Sequence, residues 1–112
     1  MRVIPVDMTG VTVMVAQPPQ PKMKDKKNGV MAVDTETSKP LMTVDVLFVG
    51  NGNAEVVTVT VIEDDISGEL AMGTPVALTG LMARPWENEF NGQKRHGISF
   101  RAAAVTSLAA ER

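Results

Sequence analysis

Residues 41–61 constrain this chain more than any other stretch. From 41 to 49 the residues alternate, with Val44, Val46 and Phe48 on one face and Thr43, Asp45 and Leu47 on the other. Gly50-Asn51-Gly52-Asn53 follows, and Gly and Asn tolerate the positive φ that a tight hairpin turn requires. From 54 to 61 the alternation resumes, Val57, Val59 and Val61 against Thr58 and Thr60. A period of two belongs to a strand, so this stretch is a β-hairpin with one apolar face, which the rest of the chain must cover. With 112 residues the chain has material for one core, and residues 1–112 are expected to form a single domain. Hydrophobic residues make up 44% of it but aromatic ones only 4%, so that core must be built from Val, Met, Leu and Ala.

Strand signals also dominate elsewhere. Residues 11–16 are β-branched and alternating, and the Pro18-Pro19 and Pro21 cluster is expected to end that strand. Residues 29–41, opened by Asn28-Gly29 and followed by the turn-like run 34–40, read as an arm or hairpin projecting from the body. Residues 63–72 are the one plausible helical stretch, of one or two turns, with acids at its start and Asp65 or Ser67 as caps. Residues 74–83 read as a strand, 84–96 as a long loop, 97–107 as the last strand and 108–112 as a frayed, flexible tail. The expectation is therefore an all-β protein, a small five-stranded OB-fold-like barrel. One short helix lies between strands 3 and 4, and the arm lies between strands 1 and 2. Barrel closure removes the exposed strand edges that invite aggregation; an open β-sandwich is the rival arrangement of the same strands.

The net charge of −2 conceals a strong segregation. Residues 17–41 carry five Lys against three acids, residues 42–83 carry six acids and no Lys or Arg, and residues 84–101 carry four bases against two acids. In an OB-type barrel the two basic blocks are the connections between strands 1 and 2 and between strands 4 and 5, which flank the usual oligonucleotide face. The first supplies Lys22, Lys24, Lys26 and Lys27. The second interleaves Arg84, Lys94, Arg95 and Arg101 with Trp86 and Phe90, whose rings can stack on unpaired bases. These ten residues are the candidate nucleic-acid-binding set, and the reading requires the two blocks to meet in space.

Signals for chemistry are weak. His96 is the one histidine, and no nucleophile or orienting partner stands at a recognisable spacing from it, so the expectation is no enzyme. Glu63-Asp64-Asp65 lacks the spaced oxygen ligands of a cation loop, no Gly-rich phosphate loop precedes a helix, and there is no cysteine. No cofactor and no metal are expected. Pro5 and Asp7 interrupt the apolar run that a secretory leader needs, and no run approaches the roughly 20 residues of a membrane span. The expected setting is cytoplasmic, without membrane association.

Ile4-Pro5-Val6, Pro21-Lys22-Met23-Lys24-Asp25, residues 41–46 (LMTVDV) and above all residues 83–101 (ARPWENEFNGQKRHGISFR) resemble a family of small regulatory proteins. That family is encoded on integrative and conjugative elements and plasmids of Streptomyces and related actinobacteria. The resemblance implies a regulatory or accessory role beside activators of replication, integration and excision, and supplies no catalytic residues. In layout alone the chain is also similar to filamentous-phage single-strand DNA-binding proteins of the gene V type, although it has no tyrosine. The function expected is a non-catalytic accessory protein of a mobile genetic element that binds nucleic acid, single-stranded DNA in preference, through the two basic segments. The alternative is a protein-interaction module, able to form a homodimer through a sheet edge, that regulates a replication or excision protein without touching DNA.

Overall fold

The computed structural model describes residues 4–25, 29–50 and 52–108. In chain order the strands are β1 (Ile4–Pro5), β2 (Thr12–Pro21), β3 (Met23–Asp25), β4 (Val30–Met31), β5 (Leu41–Gly50) and β6 (Asn53–Ile62). After a 3-10 turn at Glu63–Asp65 come β7 (Ile66–Ser67), β8 (Val76–Thr79), β9 (Met82–Phe90), β10 (Gln93–Arg101) and β11 (Ala104–Ser107). The protein is all-β, and no α-helix occurs among the described residues. None of its described helices is long and apolar enough to cross a membrane.

The central hairpin forms as its alternation dictates. β5 and β6 pair without a break from Leu41↔Ile62 to Gly50↔Asn53, and Gly52 closes the turn at φ 76°. Val44, Val46, Val59 and Val61 are completely buried, so each contributes about 1.5–3 kcal/mol of transfer free energy. Six strands in the order β1-β9-β10-β6-β5-β2 make the main sheet, and β7-β11-β8 make a smaller one. β10 runs parallel to β6 through Phe100↔Val59 and Arg101↔Thr60. The chain then turns at Ala102 and Ala103, whose N–H groups donate to Thr60 and Thr79 carbonyls, and enters the small sheet as β11. Val76 and Val105 of that sheet close the core over Val13, Val15 and the β5–β6 valines. The two sheets are not hydrogen-bonded into a closed ring: β2 meets the chain before β8 at the bridge Met14↔Pro75, with Val15 N–H donating to Thr74 O and Gly73 N–H to Val15 O.

Four expectations need correction. β2 does not stop at the prolines but runs on to Pro21. Pro18 and Pro19 occupy the register breaks between Gln17 and Gln20, where this outermost strand asks for no ladder N–H. Residues 63–72 are helical only in the 3-10 turn at Glu63–Asp65, because Ile66 and Ser67 are drawn into parallel pairing with Val105 and Thr106. Gly68, at φ 85°, then crosses Ser107 so closely that a Cβ would lie 2.7 Å from the serine Cβ. The strand expected over 74–83 is broken at Gly80, at φ 60°, and its last residues begin β9. Finally, residues 84–96 are no loop: β9 and β10 pair continuously from Met82↔Arg101 to Phe90↔Gln93. Their turn is Asn91-Gly92, both at positive φ, 51° and 76°, as a two-residue hairpin turn demands.

A two-stranded ribbon pairs β3 with β4, so the arm starts earlier than the 29–41 expected, and only β4 falls within those bounds. Its base is tied down where Lys22 N–H donates to Leu41 O and accepts, through its carbonyl, from Ala32 N–H. Leu108 N–H donates to Pro75 O, and residues 109–112 of the expected tail lie outside the described residues.

Candidate nucleic-acid interface

Register sorts the described side chains of the β9–β10 hairpin into two rows. One row contains Met82, Arg84 and Trp86 opposite Arg101, Ser99 and Gly97. The other contains Ala83, Pro85 and Glu89 opposite Phe100, Ile98 and Lys94, with Glu87 between Pro85 and Glu89. Both acids of this segment therefore fall on the second row, and Arg84 and Arg101 fall on the first. Strand periodicity converts a mixed sequence into a segregated surface.

The first row meets the first basic block. Lys22, Thr60, Arg84, Trp86, Ser99 and Arg101 share the lining of an open cleft of about 240 Å³. Lys22 is positioned by its backbone bonds at the arm's base, and its ammonium donates to Thr60 Oγ1 at 3.4 Å. Thr60 stands on the outward row of β6, between the buried Val59 and Val61. Trp86 crosses its partner Gly97: a Cβ there would lie 2.6 Å from Cζ2 and 2.9 Å from Cε2 of the indole. The glycine thus gives the ring a flat bed on the ladder, and the tryptophan keeps 37% exposure. Arg84 and Arg101 also line a neighbouring depression of about 490 Å³ with Ile62, Asp65 and Met82, so the two guanidiniums form a shared wall.

An acid completes the cleft's edge. Arg101 Nη2 donates to Asp34 Oδ1 at 2.8 Å, while Asp34 Oδ2 accepts from the Thr37 N–H at 3.0 Å and the Thr37 hydroxyl at 2.8 Å. Asp34 is 7% exposed, the one buried charged residue among those described. The Arg101 hydrogen bond and then those of Thr37 hold its carboxyl below the ordinary value of 3.8, against burial that pushes it up. Charge-assisted bonds of this kind are the stronger class of hydrogen bond. On the adjoining sheet face Asp45 accepts from the Thr58 hydroxyl at 2.6 Å.

The remaining candidates divide. Lys94 stands on the opposite row and pairs with Glu87 at 3.8 Å, both exposed, so the structure does not bring it into the cleft. Lys24, Phe90 and Arg95 are located here by backbone alone, in β3, β9 and β10. Lys26 and Lys27 lie outside the described residues. His96 stands in register with Glu87, and among the described residues no group of three or more His, Asp or Glu could hold a metal ion. Reading the sequence missed Asp34, Thr60 and Ser99. The outward row of β6 pointed to Thr60, and Asp34 with a threonine three residues on is a recognisable side-chain-capped turn.

Fold and site together define an all-β chain with a cationic, tryptophan-bearing cleft between an arm and a β-ribbon. Compared with protein-family models, curated proteins and solved structures, the chain matches none.

Proposed function

We propose that this protein is a non-catalytic accessory factor that binds single-stranded nucleic acid, DNA in preference, across the cleft between the arm and the β9–β10 hairpin. One observation carries the reading: Lys22 from the first basic block and Arg84, Trp86 and Arg101 from the second line the same cleft, on a chain whose net charge is negative. Clustered cations neutralise phosphate, and an exposed indole accepts a base, worth about 1–3 kcal/mol.

The finer fold proposal is an OB-type barrel. It is supported by the neighbour order β2, β5, β6, then β10 continuing into β11, then β8, with the Met14↔Pro75 bridge leading back to β2. In that order the arm and the β9–β10 ribbon are the two connections that flank the binding face. The resemblance to regulatory proteins of conjugative elements suggests cytoplasmic work beside a replication or excision protein. A second reading, a protein-interaction module, is favoured by the apolar Val30, Met31 and Val33, exposed by 41–49% on the arm.

Gel shifts with single-stranded and duplex DNA, alongside fluorescence of the single tryptophan, test the proposal. The expected result is preference for the single strand, quenching of Trp86, and affinity that falls steeply as salt rises. No binding to either DNA at low ionic strength would overturn it and leave the protein-interaction reading.

A further inference from the structure

The Asp34–Arg101 contact has an asymmetry that a purely structural ion pair does not need. Asp34 Oδ2 is held twice by Thr37, three residues away in the same turn, while Oδ1 accepts from Arg101, itself a lining residue of the cleft. Releasing Arg101 therefore leaves the carboxylate with two local hydrogen bonds, and the turn keeps its own closure through Ser38 N–H to Asp34 O and Asp34 N–H to Lys39 O. Arg101 is the more exposed partner, its side chain 48% accessible against 9% for Asp34, and it borders both depressions. A guanidinium carries five donors and binds carboxylate and phosphate with the same planar geometry.

We infer that Asp34 is an internal competitor for the ligand's phosphate: its carboxylate occupies Arg101 in the free protein and gives it up when a phosphodiester enters the cleft. The proposal rests on the nucleic-acid reading above and adds a specificity-determining residue to it. Asp34 lowers the cleft's affinity for every polyanion and reserves Arg101 for a group able to replace a well-held carboxylate. With Arg101 neutralised, Lys22 makes the first encounter and Arg101 joins second.

The test is fluorescence anisotropy of a labelled oligothymidylate titrated with the full chain over a series of salt concentrations. The proteins compared are the parent, Asp34→Asn, Asp34→Glu, Arg101→Gln and the double variant Asp34→Asn/Arg101→Gln. Arg101 meets phosphate in both complexes, so Asp34→Asn should keep the parental slope of log K against log salt. Its affinity at about 50 mM salt should rise on the order of fivefold, because Arg101 no longer has to leave a carboxylate. Asp34→Glu, which keeps the charge and alters the fit, should stay within about twofold of the parental affinity, so a change caused by a disturbed turn is separated from one caused by charge. The gain should vanish in the double variant. Parental binding with an unchanged or weaker response in Asp34→Asn overturns this inference alone, whereas no binding by any variant overturns the nucleic-acid reading with it.

Discussion

The two long hairpins of this protein are built alike and used differently. β5–β6 and β9–β10 each pair strands of nine or ten residues around an Asn- and Gly-containing turn. β5–β6 lies inside the sheet, with β2 on one side and β10 on the other, and buries a continuous valine row. Among the described residues β9–β10 is paired to the rest of the sheet at its base, by Ile4 and Pro5 against Ala83 and Met82 and by Val59 and Thr60 against Phe100 and Arg101. Beyond that base Ile98 is 58% exposed although Ala102, further along the chain, is buried. A free two-stranded ribbon is marginal in water, and the Trp86–Gly97 contact packs the two strands of this one together. The difference teaches that stability in this chain comes from one alternating face, which frees the second hairpin to segregate charge.

The largest expected effect breaks the buried hairpin. Val46→Ala removes two methyl groups from a fully enclosed site and should cost about 2–3 kcal/mol in urea unfolding, from lost transfer energy and the cavity left behind. An effect below half of that would show that the valine row is not the stabilising element.

Gly97→Ala sharpens the comparison in the ribbon. The added methyl must displace the Trp86 ring, which is partly exposed and can swing aside, so the cost should be about 1 kcal/mol, at the low end for overpacking. Tryptophan emission should shift to longer wavelength and quenching by oligonucleotide should weaken, both visible in one fluorescence titration.

Acid should act on the arm before the valine body. The folded-state carboxyl of Asp34 is held below 3.8 by Arg101 and Thr37, and that of Asp7 by the Thr9 hydroxyl and N–H. The stability from each is present in full above the unfolded value and is lost as pH falls through the depressed one. Amide signals of residues 34–39 should therefore shift below pH 4 while those of Val44 and Val59 stay in place.

The smallest effect is expected at Lys94→Ala. Its pair with Glu87 is exposed on both sides, so stability should change by less than about 0.5 kcal/mol. Affinity for single-stranded DNA should fall far less than in Lys22→Ala, and equal losses would contradict the division into two rows.

The central hairpin was legible because alternation and turn chemistry agree over 41–61 without interruption. The second hairpin was obscured by Pro85, two asparagines and its many charges, which read as a loop, although Asn91-Gly92 is the strongest short turn signal in the segment. The acidic run at 63–65 makes one 3-10 turn, and the pairing of Ile66 and Ser67 with β11 that ends it there has no signal in the sequence. At the site, the two basic blocks and Trp86 were visible in the charge pattern. Their sorting was not, because residues 84–96 read as a loop, and only the alternation of a strand puts Arg84 and Glu87 on opposite faces.

Whether one cleft gathers both basic segments is decided by an NMR titration of the ¹⁵N-labelled chain with a short single-stranded DNA at low salt. Saturable shifts are expected at the amides of Lys22, Thr60, Ser99 and Arg101 and at the Trp86 indole, reversed by added salt, with Glu87 and Lys94 little changed. Shifts centred on Glu87 and Lys94, or none at all, would contradict the shared cleft.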